Sequence, residues 1–424
     1  MDQSQLAQIW DIIVAGGGPG GVNAAVAAAR RGASVLLVER YGYLGGMATA
    51  GLINPFMAYT VQATGQVLTT GVFNEILDRL ESHGGLAKDR ATFDDEQMKL
   101  VLDELTVDAG VNVLLHAFVN GVEVEDGVIQ SIRVTGKFGE LNLRARNFVD
   151  STGDGDLAAL AGCKIVVGRT EDGLCQPMTL CFRVAGVDMS AYPHEEFYHW
   201  GHPLRLEVDR VYQEAKARGT ITNPREDVLI FATLRPDVLH FNTTRIIRHS
   251  ALDALSLTEA EQIGRKQVVE MVALLKREIP AFSNAYLQKM AAHIGVRESR
   301  RVLGQYILTD EEILTCKKFP DGIARSVYPV DIHNPAGTGT VLRHLPEGEY
   351  YEIPFRCLVP LDSHNLLIGS RCISATHEAH SSLRVMPVVA GIGEAAGIAA
   401  VLCAQRGIFT EAADGREVRR EIGL

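Results

Sequence analysis

The sequence predicts an α/β fold, and three observations carry the prediction. An apolar run near the start breaks into a glycine-rich turn and a small-residue helix. Short strand-like runs crowd between residues 111 and 152. Alternating strands and long helices then mix from about residue 165. The first of these unfolds in order. Asp11-Ile12-Ile13-Val14-Ala15 is a short β-branched run of the kind a buried strand needs. Gly16, Gly18 and Gly21 follow at G-x-G-x-x-G spacing, and Pro19 suits a first helical position, where a missing N–H costs nothing. Asn23 to Arg31 is alanine-rich and helix-forming, with Gly32 as its stop. A second strand, Ala33 to Val38, ends in Glu39, eighteen residues beyond Gly21. The glycine spacing alone is a weak signal, because glycine-rich turns are common. Strand, turn, helix, strand and terminal acid together describe a Rossmann-like dinucleotide-binding unit. Its glycines let backbone approach a pyrophosphate, its helix N-terminus favours that charge, and Glu39 accepts ribose hydroxyls. An acid at that position argues against a 2′-phosphate.

After Glu39 a second glycine-rich loop, "RYGYLGGMATAG", precedes amphipathic helices at 71–82 and 94–109, the latter opening on Asp94-Asp95-Glu96. Strand-like runs follow at 111–119, 121–124 and 128–135, with "VEDGV" as a hairpin signal, and another at 147–152. A strand–helix–strand opening followed by a small antiparallel meander departs from a plain nicotinamide dehydrogenase. Beyond residue 165, strand candidates at 178–184, 228–234 and 238–243 alternate with helices at 207–217 and 258–278. A short strand at 365–369 and a helix at about 388–405 close the chain. The expected division is therefore 1–165 for the first part of the dinucleotide domain, 166–350 for an inserted mixed α/β substrate domain, and 351–424 for the last part of the first domain.

The chain has 424 residues, 46% hydrophobic and 22% charged, ordinary for a soluble enzyme. A net charge of −11 argues against nucleic acid or an anionic membrane as main partner. Val385 to Ala404 carries a single charge, Glu394, but is rich in Gly and Ala and reads as a buried helix rather than a membrane span. No secretory signal is evident, and seven scattered cysteines without a C-x-x-C pair point to reduced thiols in a cytoplasm. His194, His199 and His202 lack a clean ligand spacing, so no metal is expected.

Five segments in chain order carry a family resemblance: GGGPGG at 16–21, "ERYGYLGGMATAG" at 39–51, "VDSTGDGDLAALAG" at 149–162, "GVRESRRVLGQYILT" at 295–309 and "LLIGSRCISATHEAHSSLRVMP" at 366–387. On these the chain resembles flavoproteins with two dinucleotide-binding domains, the fumarate reductase and succinate dehydrogenase flavoprotein subunits included. It looks most like the bacterial FAD-dependent oxidoreductase family. The resemblance implies FAD, held by Gly16, Gly18, Pro19 and Gly20 at the pyrophosphate, by Glu39 and Arg40 at the adenosine ribose, and by Gly45, Gly46 and Met47 beside pyrophosphate and flavin. It implies that Phe118 and Val119 bracket the adenine and that Gly153 and Asp154 close the adenosine side. Ser370 and Arg371 replace the Gly-Glu or Gly-Asp that many relatives turn to the ribityl chain, where an arginine can pair with pyrophosphate. Val385 and Met386 would offer N–H groups to the flavin N1/O2 edge. No second G-x-G-x-x-G follows a mid-chain strand, since "GIGEAAG" at 391–397 lies inside a helix, so a separate electron acceptor is expected rather than direct use of NAD(P)H.

FAD would carry the hydride, and the protein must hold the substrate and handle a proton. Three stretches offer the means. "HIGVRESRR" supplies His293, Arg297, Arg300 and Arg301, with Glu298 among them as an internal partner. "SATHEAHSSLR" supplies His377, His380 and Arg384. "VYPVDIHNP" supplies Tyr328, Asp331 and His333 as a base candidate. Of these, His377, Arg297, Arg300, His380 and Arg384 are the preferred catalytic set. Cys372 reads as a small buried apolar residue rather than a redox thiol. Arginines and histidines predict a small polar hydroxylated or carboxylated metabolite as substrate, oxidised or reduced by hydride exchange with flavin N5. The competing readings are a flavin monooxygenase and a non-catalytic dinucleotide-binding subunit; a homo-oligomer is left open.

Overall fold

The computed structural model describes residues 6–192, 197 and 201–424. Strand β1 (Ile9–Ala15) leads through helix α1 (Pro19–Ala29) into strand β2 (Val35–Val38), and the two strands pair in parallel from Ile12–Val35 to Ala15–Val38. Helices α2 (Val72–Ser82) and α3 (Asp95–Asp108) follow. Asp94 caps α3 by accepting from the N–H groups of Glu96 and Gln97. Strand β3 (Asn112–Leu114) extends the parallel edge, and β4 (Phe118–Glu125), β5 (Val128–Gly136) and β6 (Gly139–Asp150) form the antiparallel meander. Asp126 and Gly127 both take positive φ, 47° and 76°, between paired Glu125 and Val128. That is the type I′ geometry the Asp-Gly pair favours.

Strand β6 does two jobs. Residues 139–143 pair with β5, and residues 144–150 pair in parallel with β1. The sequence reading began this strand only at Asn147. Arg144 and Arg146 occupy its solvent side, so the apolar run that signals a strand starts late.

A second, four-stranded antiparallel sheet has β7 (Phe182–Ala185), β8 (Ile230–Ala232), β9 (Leu239–Phe241) and β10 (Tyr286–Met290) in the order β8-β9-β7-β10. Helices α4 (Pro203–Ala217) and α5 (Ala254–Glu278) pack with it in a separate hydrophobic core running from Met178 to Val296 and joined by Leu52. The strands are shorter than the sequence runs. Thr179 and Thr244 leave the ladder to bond backbone through their hydroxyls, Thr179 Oγ1 to the Thr244 carbonyl at 3.1 Å and the Leu180 N–H to Thr244 Oγ1 at 2.6 Å. The segment after Val296 packs with the first core, so the second core is narrower than the 166–350 division expected.

Two further strands, β11 (Val330–His333) and β12 (Thr340–Arg343), form a hairpin with His333 opposite Thr340. Strand β13 (Leu366–Ile368) then re-enters the first sheet beside β6. Helices α6 (His377–Leu383) and α7 (Met386–Arg406) follow, and a short helix, Gly415–Ile422, comes after them. Helix α7 is long and apolar enough to cross a membrane, yet 83% of its apolar window is buried inside the protein, against α1. The contact is backbone to backbone. A Cβ at Gly393 would sit 2.0 Å from the Gly20 carbonyl oxygen, and one at Gly397 would sit 2.1 Å from that of Ala24. Only glycine permits that approach.

Candidate active site

A cavity of about 460 Å³ opens where the C-terminal ends of β1, β2, β6 and β13 face the second sheet. Ligands of open parallel sheets bind at such carboxyl ends. One half is lined by Gly16, Gly18, Pro19, Gly20, Glu39, Arg40, Gly46, Met47, Phe118, Val119, Gly153, Asp154, Ser370, Arg371, Val385 and Met386. Gly18 precedes α1 with no side chain capping the helix, which leaves its first N–H groups for an anion. Gly46 lies so close that a Cβ there would approach Gly18 Cα to 2.9 Å, so bare backbone forms both walls of this throat. Glu39 is buried, and its carboxylate accepts from the Gly17 N–H at 2.6 Å and the Tyr41 N–H at 2.8 Å. Burial pushes its pKa up, and those bonds partly oppose the rise.

Around the same half, the Arg40 guanidinium lies 4.8 Å over the Tyr41 ring and 3.4 Å from His293 Nε2. Burial, then Arg40, pulls the His293 pKa down. Asp154 accepts from Arg371 at 2.7 Å and from the Ser299 hydroxyl at 2.6 Å. Burial raises its carboxyl pKa, but Arg371 and Ser299 more than reverse that. The Arg371 Nε is buried without a partner among the described residues. An uncapped helix terminus, glycine walls, a ribose-accepting acid and an arginine with a spare buried donor fit a dinucleotide with no 2′-phosphate. A second uncapped terminus, that of α7 at Val385, lines the cavity with Met386 and Val389 and suits the electron-rich edge of a flavin.

The other half of the cavity is charged. Arg225, Arg297 and Arg384 line it with Glu226, Asp227, Tyr328, Asp331, His333 and Thr340, while Phe231 and Leu229 supply apolar wall. Arg297 is 8% exposed, and its Nη1 donates to the Pro177 carbonyl at 2.6 Å. Burial, then the neighbouring Arg384 and Arg225, pull its pKa down to about 9. Arg384 lies 3.4 Å from Asp331 Oδ2, and its Nε is buried without a partner. Arg225 pairs with Asp227 at 3.0 Å, and Arg245 pairs with Glu226. Three guanidiniums and three carboxylates line this half, with Arg245 behind Glu226, and among the described residues Arg297 is the lining guanidinium that has no ion pair.

Asp331 Oδ2 also accepts the Tyr328 hydroxyl proton at 2.8 Å and lies 3.4 Å from His333 Nε2. Burial would raise the Asp331 pKa, but His333, Arg384 and Tyr328 hold it far below the usual carboxylate range. Burial, then Arg297, pulls His333 down to about 3 despite Asp331, so its ring is neutral at physiological pH. On its other side, His333 Nδ1 is 2.9 Å from Thr340 Oγ1, whose hydroxyl donates to Glu226.

Of the preferred catalytic set, the structure brings Arg297 and Arg384 to this cavity and leaves the other three outside its wall. His377 Nδ1 lies 2.9 Å from Glu298 Oε1, which also receives Arg301. His380 is buried on the same helix, and burial, then Arg301, drives its pKa well below the ordinary value. Arg300 pairs with Asp156 at 2.7 Å and donates to the Asp154 carbonyl, so it buttresses the dinucleotide half. Gly45 stands one step behind the wall, its N–H donating to the Gly17 carbonyl at 2.8 Å. Cys372 is fully buried beside Ser370 and burial pushes its thiol pKa up, which makes it inert. His194 and His199 lie outside the described residues. Among the described residues no group of His, Cys, Asp and Glu is placed to hold a metal. The sequence reading missed Arg225. Its only signal was "NPRED" directly before an apolar run, a pattern shared with any charged surface loop.

Known proteins share the fold and the family of this chain. Among solved structures, the flavin-dependent brominase Bmp2 superposes with a TM-score of 0.50 at 13% identity, covering 98% of this chain and 83% of the brominase, which shows a shared fold. The p-nitrophenol 4-monooxygenase PnpA from Pseudomonas putida DLL-E4 gives 0.47 at 11% identity, covering 95% of this chain and 82% of its own. A geranylgeranyl bacteriochlorophyll reductase-like protein from Thermoplasma acidophilum gives 0.46 at 13%, covering 98% and 82%. No curated protein matches the chain. The family described as FAD dependent oxidoreductase matches residues 11–422. The chain belongs to that family, and is an FAD-dependent oxidoreductase enzyme.

Proposed function

We propose that the protein oxidises, or in reverse reduces, a small hydroxylated metabolite that carries a carboxylate or similar anion. The observation that carries this reading is Arg297, a guanidinium that lines the cavity and whose pKa is depressed first by burial and then by two neighbouring arginines. A buried cation without a carboxylate of its own is costly, and an anionic ligand supplies what is missing. FAD, held by the glycine-walled half of the cavity, would supply the two-electron acceptor for the hydride that leaves the substrate's hydroxyl-bearing carbon. Arg297, with Arg225 and Arg384 beside it, clamps the substrate anion and orients the carbon that loses the hydride. His333, held neutral by burial, takes the hydroxyl proton at Nε2, and Asp331 stabilises the charge the ring then carries. Electrons leave to a separate acceptor.

A second reading, a flavin monooxygenase, has the brominase fold on its side. It fits the charged half of the cavity less well, because an aromatic substrate buries better against apolar walls than among the three guanidiniums and three carboxylates there. One experiment separates the two. Anaerobic addition of a panel of hydroxy acids to the FAD-loaded protein is expected to bleach the flavin band. Absence of bleaching by any of them, with oxygen consumed only when NAD(P)H and an aromatic compound are supplied, would select the monooxygenase.

A further inference from the structure

We propose that Thr340 and Glu226 are positioning residues that hold His333 as its Nδ1–H tautomer, leaving Nε2 bare to receive a proton. This deepens the reading of His333 as the base and rests on it for its meaning.

The argument is a count of protons. Glu226 is a carboxylate held down to about 2 (burial opposing, the Thr340 hydrogen bond and Arg245 lowering), so it can only accept. The hydroxyl of Thr340 has one proton, and Glu226 receives it. Thr340 Oγ1 therefore faces His333 Nδ1, 2.9 Å away, with a lone pair. A hydrogen bond at that distance requires Nδ1 to be the donor. A neutral imidazole carries one N–H, so Nε2 is left bare. Its nearest polar neighbour is Asp331 Oδ2 at 3.4 Å, an oxygen already receiving Tyr328 and Arg384. On the neutral ring the two facing acceptors make no bond, which leaves the Nε2 lone pair available until a proton arrives; the His333 contribution that lowers the Asp331 pKa belongs to the protonated ring. The imidazolium then donates to Asp331. The hairpin that pairs His333 with Thr340 sets the geometry, since the two residues are opposite each other in register.

The test uses the whole protein without substrate or reductant. Nitrogen NMR of protein labelled with [15N]histidine reads the tautomer directly, with His333 identified by its loss in His333→Gln. The wild type is expected to show a protonated Nδ1 and a bare Nε2 between pH 6 and 8. In Thr340→Val, which removes the acceptor, the proton is expected to move to Nε2 and bond Asp331. Thr340→Ser is expected to keep the wild-type pattern. Glu226→Ala frees the Thr340 proton for Nδ1 and is expected to move the ring towards Nε2–H. A wild type with Nε2–H or with a doubly protonated ring overturns the proposal even if no Thr340 or Glu226 variant folds. So does a ring unmoved by both Thr340→Val and Glu226→Ala. Because no turnover is measured, a failed hydroxy-acid panel leaves this result standing, and a contrary tautomer leaves the panel standing.

Discussion

Arg297 and His333 define the chemistry by answering burial in opposite ways. Arg297 keeps its proton in spite of burial, and His333 sheds its own. Replacing Arg297 with Met removes a buried cation that has no carboxylate partner of its own, so folding is expected to lose little or to gain. Binding of a carboxylate ligand, in contrast, loses a charge-assisted contact of about 1.5–3 kcal/mol, roughly 10- to 150-fold in affinity. Thermal unfolding and ligand titration of the same variant check both halves. The pH dependence follows with a defined sign. The folded pKa of Arg297, about 9, lies below the ordinary arginine value, so the fold disfavours its charged form. That cost to stability is present below pH 9 and is relieved as pH rises through it. Anion affinity runs the other way: full below pH 9 and weakening above it, about tenfold per pH unit. His333, near 3, predicts no acid limb in kcat/KM from pH 8 down to pH 5, where an ordinary histidine would show one.

Helices α1 and α7 are held at a spacing that only glycine allows, and that spacing aims both of their N-termini into the cavity. Two glycine substitutions two residues apart on α7 test this. A Cβ at Gly393 meets the Gly20 backbone oxygen at 2.0 Å, and backbone cannot step aside as a side chain can. Gly393→Ala is expected to cost about 1–3 kcal/mol and to weaken FAD binding, because α1 carries Gly18 and Gly20. A Cβ at Gly391 meets only Ala324 Cβ at 3.5 Å, an ordinary contact. Gly391→Ala is therefore expected to gain about 0.5–1 kcal/mol from helix propensity with FAD binding unchanged. Equal melting temperatures for the two variants would contradict the packing argument. These glycines were visible in the sequence as small residues within a helix, but their partner was not, because Gly20 and Gly393 are far apart in the chain.

Over the whole molecule, what was legible is what is local. The strand–turn–helix–strand opening spans residues 9–38, and each of its signals sits within a few positions of the backbone it shapes. The dinucleotide half of the cavity follows from that unit and from loops at strand ends. The charged half is assembled from Arg225, Arg297, Asp331, His333 and Arg384, which come from separate segments and meet only when the second sheet folds over the first. No spacing in the chain announces such a meeting. His377 and His380 show the converse: they precede Arg384 by one or two helical turns, yet face Glu298 and Arg301 rather than the cavity. The central claim is that an anion binds beside the flavin on Arg297. The measurement that tests it most directly is a titration of FAD-loaded protein with a simple non-oxidisable carboxylate, followed in the visible flavin band, for the wild type and for Arg297→Met. A saturable spectral shift in the wild type that weakens at least about tenfold in the variant is the result expected. The same titration curve in both, or no shift in either, would contradict it.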